Sequence, residues 1–148
     1  MRRMFTLAIP ARAREKKLRL LALLSPGPES RLLQALAPEA GLCLTLSDAL
    51  QDIVFRNQSD VPPIIVLDRQ LFPDRWKTMV RMLTRNSPRP YVILLSPTTD
   101  ANLWDEVQRV GGSDILRLPA TRDGLLHALK RAGQLWRSQQ QVHGPLSR

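Results

Sequence analysis

From residue 18 onward, short apolar runs alternate with amphipathic stretches five times. Residues 18–24 form a nearly all-apolar run, closed by the breaker Ser25-Pro26-Gly27-Pro28. Leu32, Leu33 and Leu36 then fall at helical spacing within residues 30–37. A second apolar run covers 42–46, after which Ser47 offers an N-cap to a helix burying Leu50, Ile53 and Val54. The third run, Ile64-Ile65-Val66-Leu67, is the clearest: four large apolar residues in succession, mostly β-branched, suit a strand buried on both faces. It stops at Asp68.

Trp76, Met79, Val80 and Leu83 follow at i, i+3, i+4 and i+7, one helical stripe. The fourth strand is expected over 91–95, ending at Ser96-Pro97, with a helix after it that buries Leu103, Val107 and Val110. The fifth is expected over 114–118, stopped by Pro119. A final helix starts at a Thr121 cap and is expected to bury Leu125, Ala128, Ala132 and Leu135, with a frayed tail after about residue 140. Strands alternating with helices imply right-handed βαβ crossovers and a parallel sheet. Five such units predict a flavodoxin-like, doubly wound α/β/α domain with strand order 2-1-3-4-5 and residues 18–24, 64–67 and 91–95 at its centre. In that architecture functional groups gather at the carboxyl ends of the strands.

Size and charge sharpen this picture. A chain of 148 residues, 43% hydrophobic, supplies one domain with its own core and is too short for two. The net charge of +9 is unevenly placed. Residues 1–19 hold Arg2, Arg3, Arg12, Arg14, Lys16, Lys17 and Arg19 against Glu15 alone, leaving only a mild excess elsewhere. The chain therefore divides into a basic, flexible arm over 1–17, a domain over 18–140 and a tail over 141–148. The single cysteine, Cys43, lies in an apolar run and reads as a buried, inert thiol, which fits a reducing, cytoplasmic setting. No stretch approaches the ~20 apolar residues that a membrane span needs.

The strand ends carry Ser25-Pro26, Asp68, Ser96 and Leu118-Pro119. Here residues 18–138 resemble the receiver domain of two-component response regulators. Val66-Leu67-Asp68 is similar to the end of the family's third strand, where the phospho-accepting aspartate stands. Leu94-Leu95-Ser96 matches the fourth, where a Ser or Thr hydroxyl answers the phosphoryl group. The run from Gly111 through Leu118-Pro119 resembles the fifth strand and its Lys-Pro ending. The resemblance implies a phospho-acceptor equivalent at Asp68 and a phosphate contact at Ser96.

The departures weigh more. Ser25 and Pro26 stand where the family carries an acidic pair that helps hold Mg²⁺, which demands oxygen ligands in octahedral array. Leu118 stands in place of the lysine, and Ile115 in place of an aromatic reporter. Losing one positioned charge or donor at such a site costs about 2.7–4 kcal/mol, roughly 10²–10³ in rate. Asp68 has a second reading, as a strand-end aspartate that caps the following turn.

The chain is accordingly expected to be a degenerate, non-enzymatic receiver-like module that works by protein–protein contact, with no Mg²⁺ or other cofactor. The interaction face would combine the fourth helix, fifth strand and fifth helix, through Trp104, Arg109, Arg117, Lys130, Arg131 and Arg137. Asp105 and Glu106 would serve for cross-pairing, and the partner would be another protein or a second copy. One alternative is a working receiver phosphorylated on Asp68 by a histidine kinase. Another is a nucleic-acid-binding protein using the basic arm, disfavoured by the 5% aromatic content and the mild charge of the core. His127 and His143 are too far apart for a metal pair, and no Ser-His-Asp spacing supports catalysis.

Overall fold

Three strands with apolar side chains on both faces need cover on both sides, and the computed structural model supplies it. It describes residues 17–49, 61–85 and 88–146, with side chains as far as residue 139. The elements run β1 (Leu18–Leu23), α1 (Pro28–Glu39), β2 (Leu42–Ser47), β3 (Ile64–Asp68), α2 (Trp76–Leu83), β4 (Tyr91–Ser96), α3 (Ala101–Val110), β5 (Asp114–Arg117) and α4 (Arg122–Leu146). The sheet is parallel throughout, in the order β2-β1-β3-β4-β5. This is the expected flavodoxin-like topology. The helix expected to bury Leu50, Ile53 and Val54, and the arm as far as residue 16, lie outside the described residues.

Alternation along the strands divides the interior into two cores. Leu20, Ala22, Ile64, Val66, Ile93 and Leu95 face α1 and α4, meeting Leu33, Leu36, Leu125 and Leu129. Leu21, Leu23, Ile65, Leu67, Val92 and Leu94 face α2 and α3, meeting Trp76, Met79, Val80, Leu83, Leu103, Val107 and Val110. Full burial of each such side chain contributes about 1.5–3 kcal/mol. The period-2 alternation forbids a one-residue slip, which would send each strand's residues to the wrong core.

Helix ends follow local chemistry. Pro28 sits at the first position of α1, where a missing N–H costs nothing, so the break after β1 is shorter than expected. The Ser30 hydroxyl closes that end, accepting from Gly27 N–H at 2.8 Å and donating to Gly27 C=O at 2.9 Å. Asp100 caps α3 by accepting from Leu103 N–H at 2.8 Å, and Thr121 caps α4 by accepting from Gly124 N–H at 3.0 Å.

Three expectations are corrected. Cys43 is exposed, because on the edge strand β2 the residues Leu42, Leu44 and Leu46 take the face toward α1 and Cys43 takes the other. Leu135 is 41% exposed, and α4 instead buries Leu129 beside Leu125, Ala128 and Ala132. The tail expected from residue 141 is helical as far as Leu146. Gln, Leu and Arg in residues 134–141 are good helix formers, and no breaker intervenes before Gly144-Pro145.

Gly111 ends α3 with φ +102, and a Cβ there would lie 2.4 Å from Thr84 Oγ1. That hydroxyl donates to Val80 C=O at 2.7 Å and is also bonded to Val110 C=O at 3.1 Å, so it cannot retreat cheaply. Gly41 also has positive φ (+75), but open space surrounds its Cβ position. Gly41→Ala should cost about 1–2 kcal/mol from backbone strain alone. Gly111→Ala should cost more, lowering the melting temperature by roughly 5–10 °C. Thermal melts of the two variants, read side by side by circular dichroism, check the difference.

Candidate functional site

Parallel pairing brings the carboxyl ends of β1, β3 and β4 to one edge of the sheet. Asp68 closes β3, in register with Leu95, and Ser96 closes β4. Asp68 is half-buried, and its Oδ1 accepts from Gln70 N–H at 2.9 Å, the turn-capping role open to a strand-end aspartate. Burial raises the pKa of its carboxyl above the ordinary value of 3.8, the Gln70 N–H pulls it down, and the negative charge of Glu29 raises it further. No cation is paired with it among the described residues.

Ser96 is fully buried, and its hydroxyl is already engaged. It accepts from Arg69 Nη1 at 3.3 Å and from Thr98 N–H at 3.3 Å. Arg69 Nη1 also donates to Thr98 Oγ1 at 3.4 Å, and the guanidinium carbon lies 5.9 Å from the ring centre of Trp76. The backbone N–H of Arg69 donates to Leu95 C=O at 3.0 Å, fixing its origin on β4.

The remaining family positions scatter. Ser25 and Pro26 are exposed in the loop after β1. Ile115 is buried in the core shared with α2 and α3. Leu118 packs against the opposite core, while its N–H donates to Ser96 C=O at 2.9 Å. A cleft of about 410 Å³ opens beside Pro26, Arg31 and Asp48, but neither Asp68 nor Ser96 lines it.

Two residues of this neighbourhood escaped the sequence reading. Arg69 was legible only as a cation directly following a strand-end aspartate. Glu29 was legible as an acid in the first turn of a helix that starts at the strand ends, a common place for acids because of the helix dipole. Glu29 and Asp68 are the two carboxylates that bear on each other's surroundings at this edge of the sheet. Among the described residues no group of three or more His, Cys, Asp or Glu side chains converges, and Pro26 contributes no side-chain oxygen.

The expected interaction face lies at the β5 edge. α3 and α4 pack on opposite faces of the sheet and flank β5. Trp104 is 37% exposed, and Arg109, Arg117, Lys130 and Arg131 are exposed. Two members have other work. Glu106 pairs with Lys77 of α2 at 2.5 Å, so it is not open for cross-pairing, and burial raises the pKa of the Tyr91 hydroxyl, which the positive charge of Arg131 pulls down.

No family profile and no curated protein matches the sequence. Solved structures do match. A response regulator from Thermotoga maritima superposes with TM-score 0.68 at 15% identity, over 80% of this chain and 98% of its own. A chemotaxis response regulator of Vibrio cholerae gives 0.68 at 17% identity, over 78% and 98%. A pilus assembly-related protein of Burkholderia pseudomallei gives 0.64 at 21%, over 80% and 91%. The chain therefore has the fold of response-regulator receiver domains.

The raised pKa of Asp68 has a consequence for stability. Its folded value lies above its unfolded one, so the carboxyl's contribution is fully present below about pH 3.8 and is lost as pH rises through the folded value. At neutral pH the ionised group is a net burden, reduced by its partial exposure to solvent. Asp68→Asn keeps an acceptor for the Gln70 N–H and removes the charge. It should raise the melting temperature at pH 7 by on the order of 1–3 °C, with the gain disappearing below the ordinary carboxylate range. Melts of both proteins across pH check this.

Proposed function

We propose that the domain is a receiver-type signalling module that acts through protein–protein contact without Mg²⁺-dependent phosphorylation. The receiver fold supports a role in two-component-type signalling. The observation that carries the finer reading is at Ser96, whose hydroxyl is engaged by Arg69 and Thr98 instead of standing open to a phosphoryl group. Pro26 and Leu118 supply neither metal ligand nor cation, which compounds the loss. Replacing even one charged donor at a phosphoryl site costs about 2.7–4 kcal/mol of transition-state stabilisation. Asp68 keeps nucleophilic oxygens, but among the described residues no cation is paired with its carboxylate, and the neighbouring Arg69 is engaged by the Ser96 and Thr98 hydroxyls.

The proposed contact face is the β5 edge with α3 and α4, centred on Trp104 and ringed by Arg109, Arg117 and Lys130. Trp and Arg are favoured anchors of interfaces. The partner is a protein, either a second copy or a component of the machinery that the domain serves. The likeness to a pilus assembly-related protein favours an assembly apparatus as the setting.

Two measurements test the reading. Incubation with acetyl phosphate and millimolar Mg²⁺ should leave the intact mass unchanged. An adduct that disappears in Asp68→Asn would overturn it in favour of a working receiver fed by a histidine kinase. For the contact face, Trp104→Ala should weaken complex formation at least tenfold, read by sedimentation or by titration with the partner, with an unchanged melting temperature.

A further inference from the structure

Arg69 is the one described cation hydrogen-bonded at the strand-end site, and its contacts span two loops. Its backbone belongs to the turn after β3, while its side chain reaches the segment between β4 and α3. There it meets the fully buried Ser96 hydroxyl and the Thr98 hydroxyl with a single nitrogen. Trp76, itself 2% exposed at the start of α2, has its ring centre 5.9 Å from the guanidinium carbon. The same segment is tied twice more, by Thr98 N–H to Ser96 Oγ at 3.3 Å and by Leu103 N–H to Asp100 Oδ1 at 2.8 Å. The segment leads directly into α3, which carries Trp104.

We infer that Arg69 is a built-in latch: its guanidinium holds the Ser96 and Thr98 hydroxyls and thereby keeps the β4–α3 segment, and the α3 face behind it, in one arrangement. The inference rests on the reading that this domain acts without a phosphoryl group, and it names what holds the site in that group's place. A cation fixed on the chain holds the hydroxyls permanently, so no ligand is needed to bias the loop between states. Asp68 takes no part in the latch, because its carboxylate is turned to Gln70. Arg69 is therefore a positioning residue that acts on the contact face through the loop.

Hydrogen exchange read by mass spectrometry on the full chain tests the latch through a double-mutant cycle. Arg69→Ala should speed exchange of amides in 98–103 at least tenfold, with β1 and α4 unchanged. Thr98→Val should speed the same segment less. The double variant should match Arg69→Ala within about twofold, because residues that share one interaction are not additive. Asp68→Asn should leave the segment unchanged. Rate increases that multiply in the double variant, that spread evenly over the domain, or that are missing altogether overturn the latch. Should Arg69→Ala fail to fold, Arg69→Met keeps the contact with Trp76 and carries the same cycle. Phosphorylation of Asp68 would overturn the functional reading without altering this cycle, so the two failures are distinguishable.

Discussion

Everything in this domain depends on burying β1, β3 and β4 on both faces. A strand with apolar side chains on both faces leaves no surface on which a polar group can work. Chemistry is pushed to the carboxyl ends of the strands, where the backbone leaves the sheet and side chains regain water. Asp68 and Ser96 sit at that boundary, one half-buried and the other fully buried. The helices that cover the sheet also deliver Glu29 and Trp76 to the same edge. One constraint thus sets the fold, locates the site and selects its neighbours.

At that edge acids and a cation are brought close together. Burial and, to a lesser degree, the negative charge of Glu29 raise the pKa of Asp68, while Arg69 donates to the hydroxyls of Ser96 and Thr98. A site built to receive a phosphoryl group would aim positive charge at the place where negative charge develops. Here the guanidinium of Arg69 lies on the Ser96 and Thr98 hydroxyls instead.

The fold was legible because it rests on periodicity. The stripe Trp76, Met79, Val80 and Leu83 is buried in full, and the apolar runs at 64–67 and 91–95 became β3 and β4. Misses came where a pattern had two readings. Cys43 sits in an apolar run, yet β2 lies at the sheet edge, so one of its faces is exposed. Leu135 continues the helical stripe of α4, but the sheet beneath ends before it does. Gln-rich residues looked like a tail because they are polar, although their helix propensity is high.

By itself the sequence determined the order of strands and helices, the two-sided burial of the centre, and the identity of Asp68 and Ser96 as strand-end residues. These are properties of local pattern, and each is carried within a few neighbouring residues. Tertiary structure alone decided that Arg69 reaches Ser96 and Thr98, that Glu29 bears on Asp68, and that Glu106 is taken by Lys77. Those relations join residues nearly thirty or more positions apart. Spacing cannot reveal them, because which side chains meet at a sheet edge depends on the twist and register of every strand between them.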